Sequence, residues 1–119
     1  MNNEAGNQMT VIEWAHLQEE RYPELALLFA TLNGVRLTAG GAAKAKAMGM
    51  NKGCPDLWLP VARGGYHGLV IEGKDGTGKL TPEQRDWLDA LNIGGYKATC
   101  CRGVDDIIQT IKEYLGIPL

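Results

Sequence analysis

The sequence has too little of several things to belong to the classes that depend on them. Its three cysteines, Cys54, Cys100 and Cys101, cannot all pair within one chain, two are adjacent, and no CxxC spacing occurs. That argues against a disulfide framework and leads us to expect reduced thiols. The two histidines, His16 and His67, have no companion at helical ligand spacing, so a zinc site is not expected. No stretch approaches the ~20 unbroken apolar residues of a membrane helix, and no charged-then-apolar leader opens the chain. A soluble, cytoplasmic protein is expected. Repeats and low-complexity tracts are missing as well.

Acids are missing altogether from residues 25–55, which carry Arg36, Lys44, Lys46 and Lys52. All 14 acids share the rest of the chain with the other basic residues, and the net charge is −2. A basic stretch on a mildly acidic protein suits either a footprint for phosphate or an ordinary solvated loop and helix face. At 119 residues, 45% hydrophobic and 22% charged, the chain reads as one ordered domain, residues 1–119, with a real core.

The apolar pattern predicts a helix over about residues 7–21, with Val11, Ile12 and Ala15 on one side and Pro23 ending it. Residues 25–32 form an apolar run too short to assign by period, read as a strand bounded by a turn at Asn33-Gly34. Residues 40–48 (GGAAKAKAM) read as a short helix with outward lysines, and 49–55 as a loop. Residues 57–62 and 67–74 read as strands joined by a hairpin turn at Arg63-Gly64-Gly65, with Pro60 implying an edge position or a bulge. Thr81-Pro82-Glu83-Gln84 is a helix start, with Thr81 as N-cap, Pro82 at the first helical position and Gln84 three after the cap. That helix stops at Gly94-Gly95. A strand over 96–101 and an amphipathic helix over 104–115 complete an α/β, single-domain fold with a mixed central sheet flanked by helices.

Asp56 with Glu72-Gly73-Lys74 is the most informative constellation. Side chains alternate along a strand, so Glu72 and Lys74 share a face. A tight hairpin can bring Asp56, at the start of one strand, beside Glu72, near the end of the next. Two adjacent carboxylates repel and call for a cation. Mg²⁺ takes one or two carboxylates together with waters and phosphate oxygens, and a neighbouring lysine can orient water or balance charge on the phosphate. The same residues also admit a plain Glu72–Lys74 ion pair on an exposed strand. Against that, Leu69, Val70 and Ile71 are all apolar, and charges ending a buried strand are costly.

The run GCPDLWLP, then GLVIEGK, LTPEQRDWLDAL and GGYKA, resembles the virus-type replication–repair nuclease (VRR-NUC) domain of the PD-(D/E)xK superfamily, over nearly the whole chain. The resemblance implies a restriction-endonuclease-like core in which Asp56 and Glu72 bind Mg²⁺ or Mn²⁺, the Gly73 carbonyl joins the metal shell and Lys74 is catalytic. It implies that Gln84 faces the active site. The family commonly has a bulkier apolar residue where Gly73 stands. A first-helix glutamate is also implied. Glu4 is favoured, with Gln8 on the same face as a DNA contact, and Glu13 is second. Fraying near the terminus counts against Glu4.

Residues 73–79 satisfy GxxxxGK, but Leu80 stands where a phosphate-binding loop needs Ser or Thr, and the next helix cap comes too late. The segment reads instead as a loop from which Lys79 reaches a DNA phosphate. Trp14, Trp58 and Trp87 read as core or dimer contacts rather than base-stacking platforms. The implied function is a metal-dependent, structure-selective DNA endonuclease resembling Holliday-junction-resolving homodimers, with phosphates held by Lys44, Lys46, Lys52 and Lys79. The family name implies a phage or prophage source acting in a bacterial cytoplasm. The alternative is a DNA-binding module of the same fold without catalysis.

Overall fold

A computed structural model of the protein describes residues 3–31 and 38–118. Helix α1 (Glu4–Gln18) is followed by a 3₁₀ turn (Pro23–Leu27), strand β1 (Phe29–Ala30), helix α2 (Ala39–Ala47), strands β2 (Leu57–Leu59) and β3 (Leu69–Lys74), helix α3 (Pro82–Ile93), strand β4 (Lys97–Arg102) and helix α4 (Gly103–Leu115). The strands lie in the order β1-β2-β3-β4. The first two pairings are antiparallel and β3 runs parallel to β4, with α3 as the crossover. The expected mixed sheet flanked by helices is the observed fold. Among the described residues no helix is long and apolar enough to cross a membrane.

Two apolar clusters sandwich the sheet. On one side α1 and α4 bring Val11, Ala15, Ile107 and Ile111 against Leu57, Leu59, Leu69 and Ile71. On the other, Leu88 of α3 meets Val70 and Ala98, with Trp58, Leu91 and Tyr96 packed around them. Each fully buried Val, Leu or Ile among them contributes roughly 1.5–3 kcal/mol by leaving water. The Asn92 side chain bonds both the N–H and the carbonyl of Ala98 at 2.9 Å, tying the end of α3 to β4.

Three local readings need correction. Helix α1 begins at Glu4 rather than near Asn7, because the Asn3 N–H is anchored on the Asp75 carboxylate at 2.8 Å. The 25–32 run is not one strand: Pro23 presets a helical first turn, and a 3₁₀ turn drops Leu25 into the core before a two-residue β1. The predicted turn at Asn33-Gly34, and Arg36, lie outside the described residues. Pro60 is neither at a sheet edge nor in a bulge. It ends an interior strand in a tight turn closed by Val61 N–H on the Leu59 carbonyl at 2.8 Å. The hairpin at 63–66 forms as expected, with Arg63 and Tyr66 exchanging backbone hydrogen bonds.

Candidate functional site

The acidic residues meet at the end of the sheet where β2 begins and β3 finishes. The register Leu57↔Ile71 sets Asp56, one residue earlier, beside Glu72. Thr31 continues the ladder by donating its N–H to the Asp56 carbonyl at 2.8 Å. The Pro55 carbonyl is gripped by the Thr31 hydroxyl (2.9 Å) and the Trp58 indole N–H (3.1 Å). The Asp56 side chain is aimed by its own hydrogen bond, accepting the Gly73 N–H at 2.9 Å on Oδ2. Gly53 sets the loop's approach. Its φ is +88°, and a Cβ there would stand 2.7 Å from Glu83 Cβ, so only glycine lets this loop close on the start of α3.

Glu72 is 2% exposed and Lys74 8%. Glu72 Oε1 is buried and has no hydrogen-bond partner among the described residues. Burial first, then the hydrogen bond and charge of Asp56, push the Glu72 carboxyl up to about 9, while Lys74 pulls the other way. Burial beside a second carboxyl thus favours the protonated form of Glu72. A cation would replace that proton. The orphaned oxygen and the all-oxygen donor set therefore fit a hard divalent ion. Among the described residues no group of three or more His, Cys, Asp or Glu side chains converges as a preformed metal centre; the acids come together as a pair.

Glu4 is not frayed away. Asn3 holds Asp75, and the Asp75 N–H lies 3.4 Å from Glu4 Oε2. Glu4 Oε2 and Lys74 Cδ lie 3.4 and 3.6 Å from the point where a Gly78 Cβ would be. The charge of Glu4 is felt at Glu72. Glu4, Gln8, Asp56, Gly73, Lys74 and Ile107 line a narrow cavity of about 10 Å³, room for a single water-sized sphere. A Cβ on Gly73 would meet Ile107 Cδ1 at 3.5 Å and Asp56 Oδ2 at 3.6 Å. A methyl fits there in ordinary contact, and a larger side chain would occupy the cavity. Glu13, the second choice, is exposed on the outer face of α1 beside Met9 and His16.

Gln84 sits at the third position of α3 in a full capping box: its backbone N–H donates to the Thr81 hydroxyl at 3.1 Å, and its side-chain oxygen accepts the Thr81 N–H at 2.9 Å. Its amide oxygen is therefore committed to the helix start. Lys44 and Lys46 are exposed on α2, which buries none of its residues. Lys52 lies 3.9 Å from Glu83, and Lys79 is exposed in the loop after β3. Arg102 steadies that loop by donating to the carbonyls of Gly76 (3.2 Å) and Gly78. The loop does not lead straight into a helix as a phosphate-binding loop would, since α3 begins at Pro82.

Sequence reasoning missed Thr31, Asp75 and Arg102, which aim the acids or hold the loop. Only Asp75, next to the Glu-x-Lys run, left a visible cue. None of the three cysteines is in a disulfide among the described residues. Burial raises Cys101 to about 11, and burial aided by Glu72 raises Cys54. These thiols are poor nucleophiles.

The VRR-NUC domain model matches residues 2–105. A solved structure described as a VRR_NUC domain protein is 34% identical and superposes with a TM-score of 0.79, covering 97% of this chain and 89% of that one. No curated protein matches the chain.

Proposed function

Because the chain belongs to the VRR-NUC domain family, we propose that it is a metal-dependent, structure-selective DNA endonuclease. In this reading residues 1–119 are its catalytic domain, and it cuts branched or junction DNA as a homodimer. The observation that carries the reading is the buried Glu72 carboxyl, with one oxygen unpartnered and Asp56 beside it. A fold does not keep a costly group of this kind for stability alone.

Asp56 and Glu72 would hold Mg²⁺ or Mn²⁺, with the Gly73 carbonyl and Glu4 completing the set. A divalent ion, when bound, supplies Lewis acidity toward the phosphate oxygens. Lys74 orients the attacking water and balances charge on the phosphate. The water oxygen forms a bond to phosphorus as the ester P–O bond breaks, and the water's proton ends on the departing oxygen. Gln8 lines the cavity beside this centre and would contact the DNA, and Gln84, at the start of α3, would face the same site. Lys44, Lys46, Lys52 and Lys79 contact phosphates and position the DNA without reading its sequence. In this reading selectivity comes from DNA shape, and a two-fold dimer supplies a second active site for the second strand. Reduced thiols and a DNA substrate suit the cytoplasm, including that of a bacterial host if the gene is a phage's.

The test is cleavage of labelled four-way junctions, flaps and plain duplex with Mg²⁺ or Mn²⁺, stopped by chelation. If all three stay intact with either metal, the reading falls. A binding module without catalysis is the second reading. It is favoured by the acids converging as a pair rather than a triad, and it predicts binding with no cut strand under any metal.

A further inference from the structure

The chain's single phenylalanine is not in its core. Phe29 is 48% exposed, on the strand at the end of the sheet order. Its ring lies stacked on Trp58, with centroids 6.4 Å apart and planes 16° from parallel. Trp58 is in turn backed edge-on by Tyr96 at 6.4 Å, and its indole is pinned to the Pro55 carbonyl. The aromatic row is therefore rigid on its inner side, and Phe29 terminates it at the sheet edge, where no further strand pairs among the described residues.

This row is bolted to the acidic site. Thr31, two residues after Phe29, grips both Pro55 and Asp56, and Asp56 lies two residues from Trp58 in the same extended segment, about 7 Å along it. A half-open aromatic face, a fixed backing ring and a proposed phosphodiester site one strand step away suit one ligand chemistry. That ligand is an unpaired nucleobase, which has a flat π-face whatever its identity.

We infer that Phe29 is a stacking platform for an unpaired base beside the scissile phosphate, so that the preferred DNA carries an unpaired nucleotide there. The inference rests on the nuclease reading and narrows its substrate class. Phe29 is a positioning residue, since it touches the substrate strand and not the reacting atoms.

The test uses the full chain in EDTA, with a duplex bearing a single-stranded flap whose first unpaired base is 2-aminopurine, and the same duplex fully paired. Binding to the native protein should quench the 2-aminopurine. Phe29→Leu keeps an apolar side chain without the π-face. It should lose the quenching and lower the flap-to-duplex affinity ratio by about tenfold, the order that base–aromatic stacking supports. Phe29→Tyr should restore both, which separates stacking from misfolding.

The inference is overturned if quenching survives in Phe29→Leu, or if both affinities fall together. It is also overturned if Phe29→Leu dissolves a self-associated species seen by light scattering, which would make the ring a contact between copies. If any of these holds while the native protein cuts DNA, only this inference is lost. If the native protein neither binds nor cuts any of the DNAs, the nuclease reading fails and this one with it.

Discussion

The two halves of β3 are buried alike and stabilised differently. Leu69, Val70 and Ile71 are each 1% exposed, and Glu72 only slightly more. The first three sit among the side chains of both apolar clusters, so their burial drives folding. Glu72 leaves water for a place where one of its oxygens finds no partner among the described residues and a second carboxyl, that of Asp56, stands beside it. Equal burial thus has opposite energetic sign within one strand. The apolar half holds the sheet in place, and the rigidity it supplies lets the polar half stay in a geometry it would not choose alone.

The sharpest way to break this contrast is Lys74→Ala. Cleavage should fall by about 100- to 10,000-fold, the range of a lost proton-handling or charge-balancing group. Junction affinity in EDTA should stay within about twofold, since phosphate contacts elsewhere carry binding. Unchanged cleavage would move the active site elsewhere.

Next in size is Ile71→Ala on the apolar half, expected to cost about 2–5 kcal/mol in denaturant unfolding through lost burial and the cavity left behind. Glu72→Gln, at the next position and nearly equal in burial, should abolish cleavage without lowering metal-free stability near neutral pH. It should raise that stability, because no carboxylate is then left to ionise only on unfolding. Comparable destabilisation by the two variants would mean Glu72 is a packing residue after all.

Acidity sharpens the comparison further. The Glu72 carboxyl is raised to about 9 from an ordinary 4.5, so across that window the folded chain binds more protons than the unfolded one. Unfolding free energy therefore falls as pH rises. The contribution is whole below about pH 4.5 and is lost as pH climbs through about 9. The Tm difference between the native protein and Glu72→Gln, without metal, isolates it: the native protein should lose ground steadily toward alkaline pH. Because a cation displaces the same proton, the Tm gain from Mn²⁺ should grow with pH. A gain independent of pH would remove Glu72 from the metal set.

The smallest expected effect is Thr81→Ala, which dismantles the capping box. It should cost about 1 kcal/mol in unfolding with little change in the cleavage rate. A large drop in rate at constant stability would show that Gln84 serves the site as well as the helix start.

Much of the architecture was legible because local signals agreed with the global fold. Thr81, Pro82 and Gln84 announced α3 through capping chemistry, which involves only near neighbours. Gly64-Gly65 announced the hairpin, and the spacing of Ile107 and Ile111 announced α4. The 25–32 run was misread because a short apolar stretch has no period, and only the core's demand for Leu25 made it a 3₁₀ turn. The early start of α1 was hidden for a similar reason: its anchor, Asp75, lies far along the chain.

By itself, then, the sequence determined which residue types were available for the chemistry: an aspartate after a Gly/Pro loop, a Glu-x-Lys at a strand end, and a basic acid-free stretch. Strand alternation and hairpin length already allowed Asp56 and Glu72 to be near neighbours, because these are properties of a few bonds. Only the tertiary structure decided that Glu4, rather than Glu13, lines the cavity beside Asp56 and Lys74, and that one oxygen of the buried Glu72 has no partner among the described residues. Those outcomes depend on how α1, the loop after β3 and α4 pack around one end of the sheet. Packing is a sum over contacts distant in sequence, which no local pattern encodes.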